Sequence, residues 1–327
     1  MSGFTWRDGE RTIRFGRGVV AEAVEVLGGE GYALLTTERA AAMAPTVVEG
    51  AAAVHVLGSG LVDELAGDLL GAVARERIVG LGGGRVVDTA KALAAASGGT
   101  QVAMAVPTTL SGAEMTRIHR RARGADQRAP TVRARVVVND PELSASQPLQ
   151  ELAASALNAL GHAVEGPCTP LANPVATLAA HDGARLLAGS LSEQPDREGL
   201  ALGALLAGYV IDSTGYGLHH VLSQTLVRLG GAGHAPSNAV LLPHTTGALA
   251  WRFPDRLEAL GAALDGDPAE VAARMCALTG ATRLRDLGIE RDALAACAET
   301  AAERPELDLT PPRADRAELL ALYEAAW

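Results

Sequence analysis

The apolar positions of this 327-residue chain follow two rhythms. In the first half, short apolar runs alternate with stretches of helical spacing. The runs "TIRFG", "YALLTT", "AAVHVLG", "RIVGLGGG", "VAMAVPTT" and "RVVVND" read as strands. Between them "GVVAEAVEVLG", "LVDELAGDLLGAVARE" and "RVVDTAKALAAASG" place apolar residues three and four apart and read as amphipathic helices. Strands separated by helices imply a parallel sheet with helices on both faces. From about Leu149 the strand patterns stop. "LQELAASALNALGHAVEG", "PVATLAAHDGARLLAGSL", "REGLALGALLAGYVID", "DPAEVAARMCALTG" and "DRAELLALYEAAW" all carry the helical period. The pattern predicts an α/β domain with a parallel sheet over 1–145 and an all-α domain over 146–327.

Composition narrows what such a chain can do. Apolar residues make up 48% of it but only 3% are aromatic, so the cores must be built from Ala, Val and Leu. The net charge of −10 opposes a nucleic-acid partner, whose phosphates it would repel. No apolar run reaches the ~18 residues that a membrane span needs. The start, "MSGFTWRDGERTIRFG", has early charges and no apolar core and is not expected to be a signal peptide. Cys168, Cys276 and Cys297 are scattered and odd in number, as in a reduced, cytoplasmic protein.

Two loops stand out in the first half. Gly82, Gly83 and Gly84 lie between a predicted strand and a predicted helix. Such a turn lets the backbone approach a pyrophosphate and aims free N–H groups at it, although any tight strand-to-helix turn needs similar residues. Asp88 and Lys91 follow on the same helix, and Lys91 is the only lysine beside 27 arginines. An ammonium is a compact point charge that a planar guanidinium cannot replace in every geometry. Lys91 is expected to pack behind the glycine turn and Asp88 and to orient both. The second loop, "AVPTTLSGAEMT", groups Thr108, Thr109, Ser111, Glu114 and Thr116 around Gly112. A hydroxyl-rich loop after a parallel strand lies at the carboxyl edge of the sheet, where ligands bind in open α/β folds.

Among the histidines of the helical half are those at 162, 219, 220, 234 and 244. Asn158 and His162 are four apart, as are His220 and Gln224. That spacing puts two side chains on one helix face. It is the usual way to present two ligands, or a ligand and an acid, though a lone histidine is more often a satisfied core or surface residue.

The ordered set "GLGGGRVVDTAK", "PTTLSGAEMT", "NDPEL", "NALGHAVEG" and "GLHHVLSQTL…GHAPSNAVLLPH" resembles the iron-containing alcohol dehydrogenase family, and within it the maleylacetate reductase branch. The resemblance runs nearly the full length. It implies the dehydroquinate synthase-like fold, an N-terminal α/β nucleotide-binding domain before a helical catalytic domain, and a site in the cleft between them. It also implies NADH or NADPH as hydride donor and a small oxo- or unsaturated carboxylic acid as substrate. By that resemblance Gly83, Gly84, Arg85, Asp88 and Lys91 bind the cofactor, with Thr108, Thr109 and Ser111 on its nicotinamide and ribose side. The family's metal ligands fall on Asn158, His162, His220 and His234, and an extra histidine near the nicotinamide falls on Gln224. Asn158 puts a neutral amide where the family has a carboxylate, as maleylacetate reductases do without a metal requirement. The three histidines would hold Zn or Fe only if a metal is bound, and an absent metal is expected. Gln224 cannot relay a proton, which falls to His162, His220, His234, Tyr216 or water. Arg85 stands where the family prefers a small hydroxyl residue. It would clamp the pyrophosphate, meet a 2′-phosphate, or block the cofactor. Glu38 favours a free ribose diol, while Arg39 favours a phosphate. Seven arginines crowd 117–135, where a family lysine is missing. Most are expected on a solvated loop, with Arg117 or Arg128 available to a substrate carboxylate. A cytoplasmic homodimer is expected. The drift at Asn158, Gln224 and Arg85 leaves open a non-redox enzyme on the same fold, performing a cyclisation or elimination, and more remotely a catalytically silent subunit.

Overall fold

The computed structural model describes residues 3–327, which divide into two compact units between Ser146 and Gln147. In the first unit, β1 (Phe4–Asp8), β2 (Arg11–Phe15), β3 (Tyr32–Thr36), β4 (Ala51–Val56), β5 (Arg77–Gly82), β6 (Val102–Pro107) and β7 (Val136–Asn139) form one sheet in the order β1-β2-β7-β6-β5-β3-β4. All neighbours pair in parallel except β1 and β2, an antiparallel hairpin turning at Gly9. The inner strands are apolar on both faces because both faces are covered. On one side Leu34, Val79, Leu81, Val106 and Val138 pack with Val19, Ala23 and Leu27. On the other, Ala33, Leu35 and Ile78 meet Val86, Ala90 and Leu93. Fully burying a Val or Leu contributes ~1.5–3 kcal/mol, so these small side chains hold the layers by number.

The helices of this unit are α1 (Ala23–Val26), α2 (Glu38–Met43), α3 (Pro45–Glu49), α4 (Val62–Asp68) and α5 (Gly84–Ala96). The helix expected over 61–76 ends early, and the chain turns at Gly71 with φ 79°. The connection β3–β4 runs outward to one edge, whereas β5, β6 and β7 step toward the other. The strand order therefore reverses between β3 and β5. Ligands of open parallel sheets bind at the carboxyl ends beside such a reversal, here Thr36 and Gly82.

The second unit is helical: α6 (Leu149–Glu165), α7 (Pro174–Ser190), α8 (Arg197–Thr214), α9 (Leu218–Thr225), α10 (His234–Arg252), α11 (Pro254–Leu264), α12 (Pro268–Ala277), α13 (Ala293–Ala302) and α14 (Arg316–Ala326). α6 is buried from Leu152 to Glu165 and packs against α7, α8, α10 and α12. A helix enclosed on all sides has to place its polar groups in the interior, and α6 places Asn158, His162 and Glu165 there. Between α9 and α10, a π-helical turn at Leu226–Gly230 and three further residues break the helical period. No helix among the described residues is long and apolar enough to cross a membrane.

Candidate active site

The glycine turn closes β5 and opens α5. Gly83 is the helix N-cap and supplies no side-chain cap. Val86 and Val87 N–H donate to Gly83 O, which leaves the N–H groups of Gly84 and Arg85 at the opening of α5 for other partners. The glycines also answer to packing. A Cβ at Gly83 would lie 3.0 Å from Thr109 Cγ2, and one at Gly84 would lie 2.9 Å from Ser111 Oγ. The two loops singled out from the sequence thus lie directly against each other, and Thr108 N–H donates to Gly82 O at 3.0 Å. Arg85 is exposed on the first turn of α5, and Glu38 and Arg39 are exposed at the start of α2.

Lys91 is fully buried, and its surroundings differ from those expected. Its Nζ lies 2.7 Å from Asp88 Oδ1, but its other partners belong to the second loop. They are the carbonyls of Ala113 (2.7 Å), Thr116 (2.9 Å) and Ile118 (3.3 Å) and the Thr116 hydroxyl (3.4 Å). Lysine fits because three rotatable N–H donors on a slim stem can serve several converging oxygens, where a guanidinium would need a planar array. Lys91 therefore ties α5 to the hydroxyl loop. Glu114 is buried nearby, and burial raises its carboxyl to about 7 against the opposing pull of Lys91 and Arg11. Arg117 and Arg128 are exposed, and Arg121 and Arg123 bind Ala129 O and Asp68 of their own unit.

In the second unit, His162 from α6 and His220 from α9 stack with ring centroids 4.8 Å apart. His219 meets His220 edge-on at 4.8 Å, and Tyr216 tilts over it at 5.9 Å. The rings can approach α6 because Gly161 has no side chain: a Cβ there would lie 2.7 Å from His219 Nε2. Sequence reasoning missed Glu165. Its Oε2 accepts from His220 Nδ1 at 2.7 Å, and its Oε1 accepts from the His219 backbone N–H at 2.7 Å. Burial raises its pKa, while the amides of α9's first turn oppose the rise. A buried acid three residues after His162 in "GHAVEG" was the available signal.

Burial lowers the pKa of His219 and His220 to about 3 and that of His162 well below its ordinary value. Burial thus favours the neutral form of these imidazoles at pH 7. His220 Nε2 and His162 Nδ1 are buried without a hydrogen-bond partner. His234, the first residue of α10, is solvent-exposed, yet its ring is near enough to His162, His219 and His220 to disfavour a charge on each.

Gln224 belongs to a second network that includes two residues the sequence did not suggest. Its Oε1 accepts from Arg304 Nη2 at 3.1 Å and lies 3.5 Å from the Tyr216 hydroxyl. Arg304 is bidentate on Glu306, at 2.9 Å from Nε and 2.8 Å from Nη2, and Tyr216 donates to Glu306 at 3.2 Å. Burial alone would raise Glu306, but its bonds to Arg304 prevail and hold the carboxyl below its ordinary range.

A model of the Fe-containing alcohol dehydrogenase family, C-terminal part, matches residues 152–327. Maleylacetate reductase 1 of Rhodococcus opacus is 35% identical over 262 residues, covering 76% of this chain and 72% of that protein. This chain belongs to the Fe-containing alcohol dehydrogenase family. It is an oxidoreductase similar to maleylacetate reductases. That of Sphingobium indicum is 32% identical over 90% of the chain and 89% of its own length. The crystal structure of maleylacetate reductase from Rhizobium sp. strain MTP-10005 superposes with a TM-score of 0.83 at 29% identity, covering 100% of this chain and 98% of that one.

The family name carries iron, and these comparisons lend no support to an absent metal. The residues themselves give a direct test. His220 Nε2, oriented by a carboxylate behind the ring, and His162 Nδ1 are the kind of buried lone-pair donors that a divalent cation uses. The His234 ring is near enough to both to disfavour their charged forms. Among the described residues no group of three or more His, Cys, Asp or Glu side chains is placed to hold a metal ion. His162, His220 and His234 are nevertheless the residues that would hold a divalent cation, Asn158 adds no charge to them, and no step below passes through one.

Proposed function

We propose that this chain is an NADH- or NADPH-dependent reductase of a small oxo- or unsaturated carboxylic acid, of the maleylacetate reductase type. The observation that carries the reading is the glycine turn at the reversal of the sheet. It presents the uncapped first turn of a 13-residue helix where a dinucleotide's phosphates bind in such sheets. Arg85 on that turn adds a cation for the phosphates, and Thr108, Thr109 and Ser111 border the same turn. Glu38, just beyond β3, supports NADH over NADPH.

In this reading the cofactor supplies the hydride. His162 and His220 work as neutral rings: Glu165 orients His220, and the partnerless nitrogens exchange hydrogen bonds with the substrate oxygen or with the water that delivers the proton. The substrate is a small-molecule carboxylic acid, and the family resemblance supports a cytoplasmic homodimer.

Fluorescence titration with NADH and NADPH tests the reading. Saturable micromolar binding, followed by oxidation of the bound cofactor on adding maleylacetate, is expected. No binding of either up to millimolar concentration overturns it. The chain would then be read as a non-redox enzyme, which Gln224 and Asn158 favour because neither can carry charge.

A further inference from the structure

The Arg304–Glu306 pair fixes the direction of the Gln224 amide. A guanidinium has donors only, so the amide oxygen must face Arg304; the reverse orientation would set N–H against N–H. Glu306 holds Arg304 through two parallel bonds, and the Tyr216 hydroxyl spans Glu306 and the same amide oxygen. With its oxygen committed on that side, Gln224 turns its two N–H donors the other way. Gln224 lies one helical turn beyond His220, on the same face of α9 as the ring whose Nε2 has no partner. Gln224 is only half buried, so those donors are within reach of a ligand.

We propose that Gln224 is a fixed hydrogen-bond donor to an anionic oxygen of the substrate, a carboxylate or enolate, and that Arg304 and Glu306 are positioning residues that set its direction. The assignment rests on the reductase reading for the identity of the ligand but not for the geometry. A histidine in this place can exchange its proton. A pinned amide gives a donor whose strength is independent of pH, leaving the proton to another group.

The probe is oxalate, a planar dianion resembling the enolate of an oxo acid, titrated calorimetrically into the full-length protein with and without NAD+. Gln224→Leu is expected to weaken oxalate about tenfold, and Gln224→Glu about tenfold to a hundredfold because it turns an anionic oxygen toward the ligand. Arg304→Met releases the amide and is expected to weaken oxalate roughly threefold to tenfold. In the Gln224→Leu background the Arg304→Met change is expected to have no further effect, which a general loss of structure would not reproduce. NADH affinity and melting temperature report cofactor binding and folding separately. Oxalate affinity that is absent in the wild type, unchanged in Gln224→Glu, or additively reduced in the double variant overturns the proposal. Failure of NADH and NADPH to bind while oxalate discriminates the variants overturns the reductase reading instead.

Discussion

Both units bury polar groups, and they do so in opposite ways. In the α/β unit, Lys91 is a buried charge with a full set of partners: one carboxylate, three carbonyls and a hydroxyl, contributed by one helix and one loop. In the helical unit, His162 and His220 are buried without charge and keep nitrogens that nothing in their unit fills. A saturated charge holds shape, because removing one member strands the rest. A neutral ring with an unfilled nitrogen contributes less to folding and is available to a ligand. The lone lysine therefore reads as architecture and the histidine pair as chemistry.

The sharpest way to break this comparison is Lys91→Met. It strands Asp88 and leaves converging carbonyls without a donor, and a loss of about 3–5 kcal/mol in urea unfolding is expected. Lys91→Arg should also destabilise, because the cage is not planar. A cost below ~1 kcal/mol for Lys91→Met would remove Lys91 from its structural role.

The next effect is in pH. Glu114 faces Lys91, Asp88 and Arg11 and has a folded pKa of about 7 against an ordinary 4.5. Between those values the folded state holds a proton that the unfolded chain releases, so stability falls as pH rises from 4.5 to 7 and then levels off. The whole contribution is at most ~3 kcal/mol. Glu114→Gln should flatten that slope in urea midpoints measured between these limits, and a slope that persists would show that other groups carry it.

Glu165→Gln tests the other side. An amide oxygen still accepts from His220 but carries no full charge, and the amide NH2 then faces the His219 backbone N–H from which Glu165 accepts. A fall of ~10–100-fold in the rate of cofactor oxidation is expected, with a smaller change in melting temperature. Equal losses of stability and rate would make the pair structural and erase the contrast with Lys91.

How much of this was legible follows from range. Parallel strands such as Tyr32–Thr36 announce themselves because both faces are buried, so apolar residues run without interruption. β1 escaped because it is an edge strand whose residues alternate between half-buried and exposed, and its only signal was the Asp8–Gly9 turn. α9 and α10 were blurred by the π-helical turn and the glycines between them. At the site, the spacing of four between Asn158 and His162 placed both on one helix face, because that relation is local. The stacking of His162 on His220 joins residues 58 apart, and the Gln224–Arg304 bond joins residues 80 apart. No periodicity encodes either, and Arg304 and Glu306 sit at a 3-10 turn with no motif around them.

The smallest expected effect concerns the missing charge. Asn158 shares the α6 face of His162, but as an amide it brings no anion to the two partnerless imidazole nitrogens. Asn158→Asp restores a carboxylate there without changing shape. Zinc affinity, read by competition with a chromophoric chelator, is expected to rise roughly tenfold, equivalent to ~1.4 kcal/mol. Without metal the same variant should melt lower, because the new carboxylate is buried in α6 with no cation beside it. In the wild type, dialysis against a chelator followed by return of iron or zinc measures whether a metal fills those nitrogens. A wild type that loses activity on dialysis and regains it with iron or zinc would show that a metal fills those nitrogens. The histidine pair would then be saturated in its working state, as Lys91 is, and the difference between the two units would be one of ligand rather than of design.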